Sequence, residues 1–229
     1  MKANLFSYFC IVKPKLVIFD FDGTLGDTRH NIVVTLRRTM QLRGLQLRDE
    51  ATCASTIGLT LEDSFLKMYP TMSRDEAREC VTTYREIFYQ SIEELSPDLF
   101  PGVADALARL AAMDIKMSIA SSRSSPSLLL FLKNMGIAQY FDYVLGSDSV
   151  TRHKPEPEPV LMTLAHYGVA PAEALVVGDM PVDIEMAHNA GVRAVGVSYG
   201  NATREELKMA KADAVIDNIS ELTTAIDGI

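Results

Sequence analysis

The chain has 229 residues, 48 % of them apolar and 23 % charged, with a formal net charge of −8. That length allows one large domain or a domain with an insert, and the balance is that of an ordinary soluble globular protein. The acidic excess disfavours a general nucleic-acid binder, which needs a basic face, but leaves room for a local phosphate site. The cysteines, Cys10, Cys53 and Cys80, are odd in number and widely spaced. They read as reduced structural thiols in a cytoplasmic protein. The histidines His30, His153, His166 and His188 have no metal-ligand spacing either.

Taken in chain order, Leu5 to Val12 is mostly apolar but too short to span a membrane, and no small-residue cleavage site follows it. Residues 1–14 therefore read as an N-terminal extension, and no membrane contact is expected. The run Leu16 to Phe19 predicts a short strand buried on both faces. Asp20 ends it, and a turn with Gly23 and Gly26 follows. Apolar residues at Ile32, Val33, Leu36 and Met40 then predict a helix with Thr28 as its N-cap. Helices are expected over 49–54 and 61–69, joined by the loop from Ser55 to Thr60. Ser73 with Glu76 forms a capping box for a further helix running to about Leu95. Nothing from Thr28 to Leu95 reads as a strand.

After the breaker-rich segment 96–102, helix and strand alternate. Helices are predicted over 103–113, 126–135, 157–167, 181–189 and 204–210. Strands are predicted over 115–120, 143–145, 174–177, 193–197 and 214–216. Strands separated by helices imply a parallel sheet. The expected fold is α/β, a Rossmann-like parallel-sheet core of residues 1–26 and 98–229. An α-helical cap, residues 27–97, is inserted after the first core strand.

Side chains two apart in an extended chain point the same way, so Asp20 and Asp22 face one pocket while Phe19 and Phe21 face the interior. Two carboxylates held together repel unless a cation lies between them or one keeps its proton. At a strand's carboxyl end, where open α/β sheets bind ligands, the pair reads as a metal-assisted catalytic site; a plain Asp-Gly turn is the alternative. Ser121 follows the second core strand and can donate to a phosphoryl oxygen, although serine is common in turns. Beside it, Ser122 and Arg123 complete the turn, and Arg123 either clamps an anion or is simply solvated. Lys154 lies in a segment stiffened by Pro155, Pro157 and Pro159, which can fix it beside a charged group or leave it exposed. Asp179 and Asp183 flank the passage from strand to helix and can approach one cation; helix capping accounts for Asp183 equally well.

Together these elements resemble the haloacid dehalogenase-like superfamily: Asp20-Phe-Asp-Gly-Thr24, a serine after the second strand, Lys154-Pro155, then Gly178-Asp179 with Asp183. The similarity extends to the phosphoglycolate phosphatase-like and β-phosphoglucomutase-like group with a helical cap. It implies Asp20 as nucleophile and Asp22 as general acid/base, its pKa raised in a crowded acidic site. It implies Ser121 and Lys154 as phosphoryl ligands, with Gly23, Thr24, Ser122 and Arg123 close to the substrate. Asp20, the Asp22 carbonyl and Asp179 would hold Mg²⁺, supported by Asp183. The cap loop Thr56 to Thr60, with Ile57, Gly58 and Leu59, would reach into the site on closure. Gly26 replaces the bulkier apolar residue usual in that family's flap, which implies a more mobile flap.

The activity implied is Mg²⁺-dependent hydrolysis of a small phosphorylated metabolite, phosphoglycolate-like or a sugar phosphate, through an aspartyl-phosphate, in a monomer or weak homodimer. The main alternative is a phosphosugar mutase. β-Phosphoglucomutase-like proteins place an arginine before Glu-Asp-Ser to grip a second phosphate, whereas Leu61 precedes Glu62, Asp63 and Ser64 here. True haloacid dehalogenases lack the second aspartate. Phospho-signalling receivers have no helical insert, and a catalytically dead phosphate-binding protein has no need of all these groups.

Overall fold

The computed structural model of the protein describes residues 13–91 and 97–229. Most of the expected N-terminal extension, Cys10 and the expected end of the last cap helix lie outside the described residues.

The first strand, β1 (Leu16–Phe19), is fully buried because both sheet faces are covered. Val17 and Phe19 pack into one apolar cluster, Leu16 and Ile18 into the other. A turn leads to the two-residue strand β2 (Gly26–Asp27) and then to four helices, α1 (Arg29–Leu42), α2 (Glu50–Ala54), α3 (Leu61–Met68) and α4 (Arg74–Gln90). The chain returns through β3 (Asp98–Leu99), which pairs antiparallel with β2 so that Gly26 faces Leu99. The strands entering and leaving the helical insert are thus hydrogen-bonded to each other. Two-residue strands carry no periodicity, so no pattern in the sequence announces them.

Beyond β3 the elements alternate. They are α5 (Val103–Ala112), β4 (Lys116–Ala120), α6 (Ser125–Asn134), β5 (Tyr143–Leu145), α7 (Glu158–Tyr167), β6 (Ala174–Gly178), α8 (Pro181–Asn189), β7 (Arg193–Val197), α9 (Arg204–Met209), β8 (Ala214–Ile216) and α10 (Leu222–Gly228). The six-stranded sheet has the order β5-β4-β1-β6-β7-β8, and its pairs are parallel. Strand order reverses about β1, which creates the crevice where such sheets bind ligands. Phe19 is in register with Ile119 and Val177. Asp20, Ser121 and Asp179 therefore emerge side by side at one sheet edge.

In the insert, Ser73 accepts from the Glu76 amide and Glu76 accepts from the Ser73 amide, so the capping box forms. Thr28 occupies the N-cap position of α1, but its buried hydroxyl has no partner among the described residues. Cys53 and Cys80 are buried free thiols. The apolar core runs from the sheet into the insert: Phe21 stacks on Phe131 at 5.9 Å, and Phe131 meets Phe88 edge-on at 5.6 Å. Gly26 belongs to this packing. A Cβ there would lie 3.3 Å from the Phe21 ring and from Met135, so close packing rather than a need for mobility explains the small residue. Among the described residues, no helix is long and apolar enough to cross a membrane.

Candidate active site

The turn after β1 is tight. The Phe21 carbonyl accepts from the amides of Thr24, Leu25 and Gly26, while Phe21 itself stays in the core. Gly23 sits at φ +91°, and a Cβ on it would fall 2.1 Å from Asp179 Oδ2. Only glycine lets this backbone press against the aspartate at the end of the neighbouring strand.

Asp20, Asp179 and Asp183 converge, each buried and each offering an oxygen within 4.8 Å of the others. Lys154 completes the cluster. Its ammonium donates to Asp20 Oδ1 and to Asp183 Oδ1, both at 2.6 Å. Asp183 Oδ2 accepts from the Met180 amide at 3.0 Å. The capping role and the site role of Asp183 therefore coexist, one on each oxygen. Asp179 is held by Asn201, whose backbone and side-chain nitrogens donate to Oδ2 at 2.7 and 2.8 Å, and more loosely by Thr24 Oγ1 at 3.4 Å.

The electrostatics follow from burial. Desolvation pushes the Asp20 carboxyl up to about 7, with Asp183 and Asp22 adding to the rise against the pull of Lys154. Desolvation also raises Asp179 well above the usual range, reinforced by Asp20 and Asp183. Burial alone would lower Lys154, but the two carboxylates outweigh it and hold the amine above its ordinary value. Three buried carboxylates facing one lysine are short of positive charge. A hard cation is the natural complement of such an all-oxygen donor set, so these residues fit a metal such as Mg²⁺.

Asp22 lines the same cavity as Asp20, as the two-residue spacing predicts. Its carboxylate lies outside this trio of side chains. Arg123 Nε donates to both of its oxygens at 3.1 Å, and Nη2 reaches Oδ1 at 2.6 Å. The cation facing Asp22 is a guanidinium and the one facing Asp20 is a lysine. Arg123 is held in turn between Phe131 and Phe88, at 4.8 and 5.5 Å from the ring centroids.

A cavity of about 480 Å³ opens between the sheet edge and the helical insert. Asp20, Asp22, Ser121, Ser122 and Arg123 line it from the core, and Ile57, Gly58 and Leu59 line it from the loop before α3. Lys154, Asp179 and Asp183 sit behind it, with Gly23 and Thr24. Ser121 is free to face the cavity, apart from accepting the Arg123 amide at 3.2 Å. The Ser122 hydroxyl instead donates to the Gly58 carbonyl at 2.6 Å, tying core to insert. Ser121 thus faces the cavity, while Ser122 bridges core and insert.

Sequence reasoning missed Asn201 and Gly200. A Cβ on Gly200 would lie 2.4 Å from Asp179 Cβ and 2.4 Å from the Gly23 carbonyl. The available signal was a Gly-Asn pair shortly after a core strand. It also missed Glu158, which accepts from the amides of Thr151 and Arg152 at 2.9 and 3.0 Å and so shapes the loop carrying Lys154.

Comparison with known proteins agrees with this geometry. The family model described as haloacid dehalogenase-like hydrolase matches residues 17–197. The protein named "Probable phosphatase IndB" of Dickeya dadantii is 36 % identical over 216 residues, covering 93 % of this chain and 94 % of its own. Phosphoglycolate phosphatase of Escherichia coli is 29 % identical, covering 92 % and 91 %. Among solved structures, a haloacid dehalogenase-like hydrolase from Bacteroides fragilis superposes with a TM-score of 0.87 at 30 % identity, covering 92 % of this chain and all of its own. The chain belongs to the haloacid dehalogenase-like hydrolases.

Proposed function

We propose that this enzyme, a phosphatase of the haloacid dehalogenase-like family, hydrolyses a small phosphorylated metabolite through an aspartyl-phosphate on Asp20, with Mg²⁺ as cofactor. The observation that carries the reading is the buried meeting of Asp20, Asp179, Asp183 and Lys154 behind a cavity lined by Asp22 and Ser121. Mg²⁺ held by Asp20, the Asp22 carbonyl and Asp179, with Asp183 in support, would offset the repulsion between a carboxylate and a phosphate dianion.

The chain's own groups supply the rest. Lys154 orients Asp20 and takes up charge on the phosphoryl oxygens, to which Ser121 donates. A carboxylate oxygen of Asp20 bonds to phosphorus as the bond to the substrate's alcohol oxygen breaks. Asp22 gives its proton to that oxygen, then takes one from the water that hydrolyses the aspartyl-phosphate and releases inorganic phosphate. The insert, residues 27–97, acts as a cap that shields the reaction from bulk water. Net charge and the local site favour a dissolved metabolite in the cytoplasm over nucleic acid or membrane, and a monomer or weak homodimer as the working form.

Leu61 favours hydrolysis over the mutase reading. It lines the cavity where a mutase needs a guanidinium to hold the second phosphate of its intermediate. The test is phosphate release from p-nitrophenyl phosphate with Mg²⁺ and with chelator. A parallel assay uses β-glucose 1-phosphate with catalytic glucose 1,6-bisphosphate. Mg²⁺-dependent release, and no glucose 6-phosphate formed ahead of free phosphate, is expected; metal-independent turnover or the reverse order contradicts the proposal.

A further inference from the structure

The face of α4 turned to the cavity repeats at helical spacing. Arg78, Val81, Arg85 and Phe88 line the cavity from that helix, three or four residues apart. Arg85 therefore stands in the middle of the cap wall, in the same cavity that Asp20 and Asp22 line from the core. An arginine on an inward helix face has a partner to find.

The guanidinium groups of the cavity are not equally committed. Arg123 grips Asp22 on the core side. Arg78 pairs with Asp75 at 2.9 Å and with Glu62 at 3.6 Å, and so braces α3 against α4. Arg85 has no hydrogen bond or ion pair among the described residues. Asp148, in the core loop after β5, feels its charge without pairing with it. Burial works against that carboxylate, the Ser125 amide at 2.7 Å holds it below its usual range, and Arg85 adds a smaller share. Arg85 is exposed, so it waits hydrated and exchanges water for a ligand's anion. One guanidinium offsets one charge. Glu62 and Asp148 line the same cavity, so a second phosphate, with its charge of about two, would stand beside them partly uncompensated. A carboxylate matches the fork of Arg85 in both charge and geometry.

Resting on the phosphatase reading above, we infer that Arg85 is the specificity-determining residue of the cap, and that the substrate is a phosphate monoester whose alcohol carries a carboxylate. The phosphate sits at Asp20, and the carboxylate takes the guanidinium fork of Arg85 on α4. The cavity of about 480 Å³ has room for an acid of several carbons between the two.

The full chain with Mg²⁺ is assayed on p-nitrophenyl phosphate and on matched pairs in which a hydroxymethyl group replaces the carboxylate. The pairs are phosphoglycolate with 2-hydroxyethyl phosphate, 3-phosphoglycerate with glycerol 3-phosphate, and 6-phosphogluconate with sorbitol 6-phosphate. In at least one pair the acid should exceed its neutral partner in kcat/KM by about tenfold, more than an exposed ion pair gives and at the low end for a charged hydrogen bond. Arg85→Gln should bring that ratio to about one, a readout that neither partial loss of folded enzyme nor loss of a cap-to-core attraction to Asp148 would move. Equal use of acid and neutral partner in every pair, or a ratio unmoved by Arg85→Gln, overturns the inference and leaves the phosphatase reading intact. A preference for glucose 1,6-bisphosphate over glucose 1-phosphate that Arg85→Gln removes also overturns it, since Arg85 would then hold a phosphate. Turnover of p-nitrophenyl phosphate with none of the pairs accepted does the same. Failure on every substrate, p-nitrophenyl phosphate included, overturns both.

Discussion

Arg123 holds both carboxylate oxygens of Asp22 through one guanidinium, with side-chain exposures of only 9 % and 12 %. A lysine supplies one point charge and cannot reproduce that fork. Arg123→Lys is therefore expected to lower kcat by about ten- to a hundredfold, the worth of a charged hydrogen bond, and to shift the pH–rate profile with little change in fold. Arg123→Ala strands a buried carboxylate and should cost about 3–5 kcal/mol in urea denaturation. An unchanged pH–rate profile in the lysine variant would show that the pair does not position a proton donor.

The Ser122 hydroxyl on the Gly58 carbonyl is a direct polar tie between the core and the cap loop. Removing it with Ser122→Ala should weaken the closed arrangement by about 1 kcal/mol, raising KM about fivefold at constant thermal stability. Steady-state kinetics on p-nitrophenyl phosphate decide it, and an unaltered KM would count against closure through this loop.

Gly200 packs its backbone against Asp179 and Gly23 with no room for a methyl group. Gly200→Ala must displace Asp179 or the turn. Apparent Mg²⁺ affinity should fall about 10- to 100-fold, as for other residues that orient metal ligands. Titrating Mg²⁺ against melting temperature reports it: the wild-type protein rises with Mg²⁺, and a variant that rises in the same way would refute the assignment.

Glu158 organises the loop that presents Lys154, and the Thr151 amide, with Thr151 Oγ1 and Arg152, holds its carboxyl down to about 2 from a usual 4.5. A depressed folded-state pKa means the unfolded chain binds the proton first. The stabilisation is present above about pH 4.5 and is lost as pH falls toward 2. Glu158→Gln should flatten the dependence of unfolding free energy on pH across that window. A slope equal to that of the wild-type protein would exclude the carboxylate as its source.

Local pattern carried much of this fold. The apolar run of β1 and the two-residue spacing of Asp20 and Asp22 were enough to predict a buried strand emptying into a polar site, since burial and pleat act residue by residue. What lay beyond sequence was the partner of each charge. Asp22 meets Arg123 across 101 positions and Asp20 meets Lys154 across 134. Period and propensity say nothing about such distances, so the cavity shared by Asp20 and Asp22 was legible but the Arg123 partner of Asp22 was not. The pairing of β2 with β3 and the packing of α10 through Leu222 and Ile226 were also illegible. Those elements are short, and tertiary contact rather than their own residues makes them regular.

The nucleophile is tested most directly by rapid acid quench of the enzyme turning over with Mg²⁺, followed by peptide mapping by mass spectrometry. A phosphoryl group on the peptide containing Asp20, absent from an Asp20→Asn variant that is folded and inactive, is the predicted result. Phosphorylation at another residue, or normal turnover by Asp20→Asn, would contradict it.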